Sequence, residues 1–233
     1  MTSDKNKSII ILLGPPGSGK GTQGTLLAEK FGLYYFEASK ILEEAWSKNL
    51  DEIIEVEGQK YSLREEKEEN WEKGKLCSPP FVTVLFKRKI EEIHKQGKGI
   101  VFAGTPRTLY EGEKLAPLYK ELCGQENVKV ILLELSPEQT IFRNSHRKIC
   151  ELVRHPILYS EETKNLRHCP LDGSRLLKRG KLDDPETIKI RIKEYEERTL
   201  PLVKFFEQQG LEIKRINGDQ SVAEVYRDIL KAL

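Results

Sequence analysis

An α/β fold built on a parallel five-stranded sheet flanked by helices is the architecture that this 233-residue sequence predicts, and three observations predict it. Short apolar runs recur along the chain, segments of helical periodicity separate them, and a glycine-rich loop joins the first run to the first helix. Strands alternating with helices pair in parallel, because each parallel neighbour is reached by a crossover long enough to hold a helix. In such sheets ligands bind beyond the carboxyl ends of the strands.

The first run, Ile9 to Leu13, ends at Gly14-Pro15-Pro16 and is too short for a signal peptide, even with Lys5 and Lys7 ahead of it. After the glycine-rich loop, Leu27 and Phe31 share one helical face. Leu33 to Phe36, Ile100 to Phe102, Val128 to Leu133 and Leu211 to Ile216 read as the remaining strands. Pro185-Glu186-Thr187 starts a helix on which Ile188, Ile192 and Tyr195 follow helical spacing. Two stretches break the alternation and look like insertions. The expected division is a core of residues 1–36, 77–142 and 183–233, a first insertion of 37–76 and a second of 143–182. The first should be helical and highly charged, with Arg64 to Glu69 as the solvated face of a helix. The second lacks long periodic runs and holds Cys150, His155, His168, Cys169 and a Pro170-Leu171-Asp172-Gly173 turn.

Lys+Arg 39 against Asp+Glu 37 leaves a formal net charge of +2, so no nucleic-acid partner is expected. No run has the length of a membrane span, and no membrane partner is expected. Four widely spread cysteines argue for a reducing compartment, and cytoplasm is the expected location.

The functional signal is strongest at Gly14-Pro15-Pro16-Gly17-Ser18-Gly19-Lys20-Gly21-Thr22-Gln23. Polyphosphate can be held by backbone N–H groups only where the chain wraps closely around it. Glycines allow that approach, the following helix adds free N–H groups and its positive dipole end, and Lys20 adds a mobile cation. ATP or GTP binding follows. Gly21 stands where this pattern usually has Ser or Thr, which makes Thr22 the candidate for the Mg²⁺ shell, through water.

The Gly-Lys-Gly-Thr-Gln ending resembles the adenylate kinases, nucleoside monophosphate kinases with a P-loop NTPase-type core. Gly104-Thr105-Pro106-Arg107-Thr108 is similar to that family's Asp-Gly-Phe-Pro-Arg segment, Arg143 and Arg147 to its two lid arginines, and Asp183-Asp184-Pro185-Glu186-Thr187 with Arg191 to the segment closing the lid. Asn217-Gly218 matches where the family's backbone meets the donor adenine. The resemblance implies phosphoryl transfer from ATP to a nucleoside monophosphate, AMP first, with Mg²⁺ and as a monomer. It implies that Arg107 clamps the acceptor phosphate, Arg147 and Arg191 meet the transferring group, Arg143 lies over the donor base, and Arg179 is a weaker candidate. Arginine suits these places because phosphoryl transfer is positioning plus charge neutralisation, and its planar fork binds phosphate bidentately. The insertions would be acceptor-binding and lid domains that exclude water.

The sequence also departs from the family pattern. Ala103 stands at its acidic position, leaving Thr22, with Asp183 or Asp184, to hold the metal. Ala38 to Glu43 replaces its Thr-Gly-Asp-x-x-Arg, with Glu43 at the phosphate-clamping arginine and Arg64 as a candidate substitute. Ala38 and Glu111 fall on acceptor-binding positions, and a carboxylate at Glu111 would suit guanine, which makes GMP an alternative acceptor. Some family members hold a structural zinc in the lid. Cys150, Cys169 and Asp172 match three of its four ligand positions, Val153 occupies the fourth, and His155 or His168 could complete the set. The competing readings are a nucleotide-binding module that has lost turnover and a zinc-knuckle nucleic-acid binder. The presence of Lys20, Arg107, Arg147 and Arg191 together favours an active kinase.

Overall fold

The computed structural model describes residues 8–178 and 180–233; Lys5, Lys7 and Arg179 lie outside the described residues. In chain order the elements are β1 (Ile9–Leu13), α1 (Lys20–Phe31), β2 (Tyr34–Glu37), α2 (Ala38–Lys48), β3 (Ile53–Val56), β4 (Gln59–Ser62) and α3 (Leu63–Glu65). They continue through α4 (Pro79–Lys95), β5 (Ile100–Ala103), α5 (Leu109–Cys123), β6 (Val128–Glu134), α6 (Pro137–His146), β7 (Lys148–Cys150), β8 (Pro156–Ile157) and β9 (Leu176–Leu177). The chain closes with α7 (Pro185–Glu194), α8 (Pro201–Gln208), β10 (Ile213–Asn217) and α9 (Val222–Ala232).

The central sheet has five strands in the order β10-β6-β1-β5-β2, every pairing parallel. Each expected strand lies in it, its bounds differing by no more than two residues. Because helices cover both faces, all five residues of β1 are buried and read as an unbroken apolar run rather than an alternation. Alternate residues still serve opposite layers. Ile10, Leu12, Val101, Ile131 and Leu133 pack with Leu27 of α1 and Val225 and Ile229 of α9. Ile9, Ile11, Phe36, Phe102, Val130 and Leu132 pack with Phe81, Phe86 and Ile90 of α4, Leu115 and Tyr119 of α5, and Leu202 and Phe206 of α8. Aromatic rings tighten this second layer, with Phe36 5.5 Å from Phe86 edge-on and Phe102 4.9 Å from Tyr119.

The stretch after β2 departs from the expected all-helical form. Beyond α2 it folds as the antiparallel hairpin β3–β4, reversing at Glu57 and Gly58 with φ of 52° and 79°. Two successive left-handed residues are what a two-residue hairpin turn demands. Arg64 to Glu69 is not wholly a solvated face, since the Glu66 carboxylate is buried and accepts from Asn70 Nδ2 at 3.0 Å and the Ser78 amide at 2.8 Å. The segment rejoins the core against α7: a Cβ on Gly74 would stand 2.6 Å from Thr187 Cγ2, and the Leu76 amide donates to Glu194 Oε2 at 3.2 Å. Between α6 and α7 lies a small antiparallel sheet in the order β8-β7-β9. No helix among the described residues is long and apolar enough to cross a membrane.

Close packing in the α5–α8 layer is testable at Gly112, where an added Cβ would stand 2.6 Å from Leu202 Cδ2 and 3.1 Å from the Phe205 ring. Gly112→Ala should destabilise the fold by about 1–3 kcal/mol in urea unfolding through overpacking. An unchanged or raised stability would refute the packing account.

Candidate active site

The loop between β1 and α1 opens at the carboxyl end of the sheet. Gly19, with φ of 91°, holds the left-handed turn from which α1 starts, so the first amides of α1 face the same cleft. The Lys20 ammonium donates to Gly14 O at 2.7 Å, Pro15 O at 2.8 Å and Ser18 Oγ at 3.3 Å. Gln23 donates to Val222 O at 2.9 Å and ties α1 to the start of α9. Gly218 donates to Glu134 O at 2.7 Å, and a Cβ there would meet the same carbonyl oxygen at 2.7 Å, so a side chain is excluded.

The cleft has a volume of about 970 Å³. It brings together Gly14, Pro16, Gly17, Ser18, Gly19, Lys20, Gly21, Thr22 and Gln23 of the loop with Arg107, Arg143, Arg147, Arg191 and Gly218. These four arginines come from three separate stretches of the chain, Arg143 and Arg147 lying one turn apart at the end of α6, and each has a partner at its side chain or backbone. Thr199 Oγ1 donates to Arg107 O at 2.8 Å, after a cis Thr105–Pro106 peptide. Arg147 pairs bidentately with Asp183, Nε to Oδ2 at 3.1 Å and Nη2 to Oδ1, and Arg191 lies 3.9 Å from the same carboxylate. Arg143 Nη2 lies 3.3 Å from Asp219 Oδ1. Burial, then the charges of Arg107, Arg191 and Arg147, holds the Lys20 ammonium well below its ordinary value.

Several sequence expectations are corrected by these positions. Glu111 is 3% exposed and does not line the cleft: Oε2 accepts from Thr105 Oγ1 at 3.1 Å and the Arg107 amide at 3.2 Å, and Oε1 from Thr108 Oγ1 at 3.0 Å. Its lone pairs are engaged in fixing the corner that carries Arg107, so it reads no base here. Burial pushes its carboxyl above the usual range, while the Arg107 amide and the Thr108 hydroxyl draw it back. Ala38, also 3% exposed, starts α2 and is not among the residues lining the cleft. Asp183 is engaged by Arg147 and Arg191, and Asp184 caps α7 by accepting from the Glu186 amide at 3.1 Å. Arg64 pairs with Asp51 at 2.6 Å on the exposed surface and does not reach the cleft.

Sequence reasoning missed further lining residues: Tyr35 and Glu37 at the end of β2, Trp71 after α3, and Phe142 and Tyr159, which line the same cleft as Arg143. The last two meet edge-on at 5.5 Å. Alternation along the edge strand was the available signal for Tyr35 and Glu37.

A second constellation lies between α6 and α7. The ligand atoms of Cys150, His155, Cys169 and Asp172 all lie within 4.8 Å of one another. The Val153 and Leu171 amides each point at a sulfur, Cys150 Sγ and Cys169 Sγ, at 3.4 Å. Amides directed at both sulfurs stabilise thiolates, so two buried cysteines, an imidazole and a carboxylate fit a tetrahedral zinc. His168 pairs through its backbone with Arg175, and its imidazole is not among these clustered ligand atoms.

This geometry agrees with what comparison finds. A family model described as adenylate kinase matches residues 12–211. The chain is 30% identical over 226 residues to an adenylate kinase of Caldicellulosiruptor saccharolyticus, covering 96% of this chain and 98% of the relative. It is 30% identical over 225 residues to one of Methanothrix thermoacetophila, covering 96% and 97%. It is likewise 30% identical over 226 residues to one of Chlamydia pneumoniae, covering 97% of each. A phosphate loop at the end of a five-stranded parallel sheet, four arginines converging on it and matches over nearly the whole length identify the chain as a member of the adenylate kinase family, ATP-binding phosphotransferases acting on nucleoside monophosphates.

Proposed function

We propose that this chain transfers the γ-phosphoryl group of ATP to AMP, giving two ADP, with Mg²⁺. The observation that carries the reading is the convergence of Lys20, Arg107, Arg147 and Arg191 on one loop. In phosphoryl transfer the protein's work is alignment and neutralisation of charge spread over the transferring oxygens. The loop amides and Lys20 hold the ATP phosphates, Arg107 holds the acceptor phosphate, and Arg147 and Arg191 face the group in flight. Arg143, Phe142 and Gly218 border the donor base. Mg²⁺, when bound with ATP, neutralises phosphate charge, and Thr22 supports its water shell. Residues 37–76 form the acceptor-binding insertion and 143–182 the lid, and together they keep water from the phosphates.

AMP is favoured over GMP because the argument for guanine rested on Glu111, whose oxygens are engaged inside the core. A coupled assay with ATP and Mg²⁺ against AMP, GMP, CMP and UMP tests this. AMP should lead, Lys20→Ala should lower kcat/KM on the order of 100-fold or more, and Glu111→Ala should slow turnover without reordering the acceptors. Nucleotide binding without turnover would overturn the kinase reading, and a preference for GMP would overturn the acceptor.

Polyphosphate bound against Lys20 raises the pKa of its ammonium above the depressed free value. Binding therefore favours the protonated form. Above about pH 8, where the phosphates are already ionised, affinity should fall as pH rises through the free-protein value, by up to about tenfold per unit. Calorimetry in buffers of different ionisation heat should record proton uptake on binding across that range. Affinity flat with pH and no proton uptake would refute this account.

The lid holds zinc on Cys150, His155, Cys169 and Asp172, as a structural ion. Metal analysis of the purified chain should find about one zinc, with loss of the metal and a lower melting temperature in Cys150→Ser and His155→Ala. A wild-type chain that takes up no zinc would end this proposal.

A further inference from the structure

We propose that Glu37 is a positioning residue for the divalent cation that accompanies the nucleotide phosphates, acting through the cation's water shell. The inference rests on the kinase reading of the cleft and assigns one side chain within it.

Mg²⁺ keeps several waters when it binds polyphosphate, and carboxylates near the phosphates hold those waters in place. The carboxylates around this cleft differ in their availability. Asp183 is bound by Arg147 and approached by Arg191. Glu194 accepts from the Leu76 amide at 3.2 Å and from Arg198 at 2.9 Å. Glu43 also lines the cleft, but it is exposed on α2, more than one helical turn beyond the end of β2. Glu37 ends the sheet strand β2, lines the cleft, and is held lightly by Ser39 Oγ at 3.1 Å and by Lys40 at 3.3 Å, a lysine whose side chain is 62% exposed.

Its direction follows from register. Glu37 pairs with Ala103 of β5, so the two side chains project from the same face of the parallel sheet. Tyr35, two residues earlier on that face, packs against the first turns of α1: a Cβ on Gly24 would stand 2.6 Å from the Tyr35 ring, and one on Gly21 would stand 3.4 Å from its hydroxyl. Glu37 therefore stands toward the mouth on the side where α1 presents Gly21 and Thr22. Ala103, the next residue inward on that face, ends in a methyl group. Two strand spacings separate β2 from β1, about 10 Å. A glutamate side chain, one hydrogen-bonded water and a metal–oxygen distance of about 2.1 Å span such a gap. Arg107 already feels the charge of Glu37, which places the carboxylate in the field of the reacting groups.

The test measures binding of a non-hydrolysable ATP analogue by calorimetry, with Mg²⁺ and with EDTA, in the wild type, Glu37→Gln and Glu37→Asp, each first checked for an unchanged melting temperature. In Glu37→Gln the gain in affinity that Mg²⁺ confers should shrink about tenfold, with metal-free affinity retained. Glu37→Asp should restore part of that gain. Electron paramagnetic resonance of Mn²⁺ in the analogue complex should change in Glu37→Gln. An Mg²⁺ gain in Glu37→Gln equal to the wild type's would overturn the assignment and leave the kinase reading intact, as would equal losses with and without metal. A wild-type chain that binds no analogue would overturn both.

Discussion

Arg147 follows α6, Asp183 precedes α7, and their bidentate pair closes the stretch that holds the small sheet β8-β7-β9. The same carboxylate faces Arg191 at 3.9 Å. Arginines near Lys20 repel it and one another, and that repulsion is strongest where water is least able to screen it. With its side chain only 3% exposed, Asp183 supplies the negative charge that makes the arrangement tolerable. Lysines and arginines still outnumber the carboxylates lining the cleft, which leaves it a net positive charge that phosphate completes. Burial first, and that excess second, depress the Lys20 ammonium, which turns toward the loop carbonyls.

A rigid corner serves Arg107 in the same way. Thr108 caps α5 while Glu111, one turn in, accepts from two hydroxyls and the Arg107 amide, and Thr199 anchors the Arg107 carbonyl from across the core. The carboxylate is buried without a bidentate arginine because both of its oxygens accept hydrogen bonds. It fixes the backbone from which the arginine reaches.

The central sheet was legible because burial on both faces turns strands into apolar runs, and the phosphate loop because its chemistry needs particular residues in a fixed order. The hairpin β3–β4 was not, since Glu55, Gln59 and Lys60 face outward and within its strands only Ile54 is fully buried, leaving too little apolar pattern; the Glu57-Gly58 turn was the remaining clue. Alignment with a family motif put Glu111 at a base-reading position; the Thr108-x-x-Glu111 spacing was a sign of a helix start, but no sequence pattern reveals that Thr105 also turns onto its oxygens. His155 falls outside the C-x-x-C spacing and joins the sulfurs because Arg154, with φ of +61°, turns the chain back after Cys150.

Viewed from solvent, the positive cleft is nearly invisible. The formal net charge is only +2, and many exposed charges pair locally along helices, as Lys48 with Glu44 and Lys189 with Glu186 do. Fields from such neighbouring opposites cancel within a Debye length, about 8 Å at physiological ionic strength. An anion drifting past therefore feels little pull until it is at the mouth, where the uncompensated charge begins. Capture is then governed by how often a phosphate arrives in the right orientation, and the strong attraction acts mainly on how long it stays.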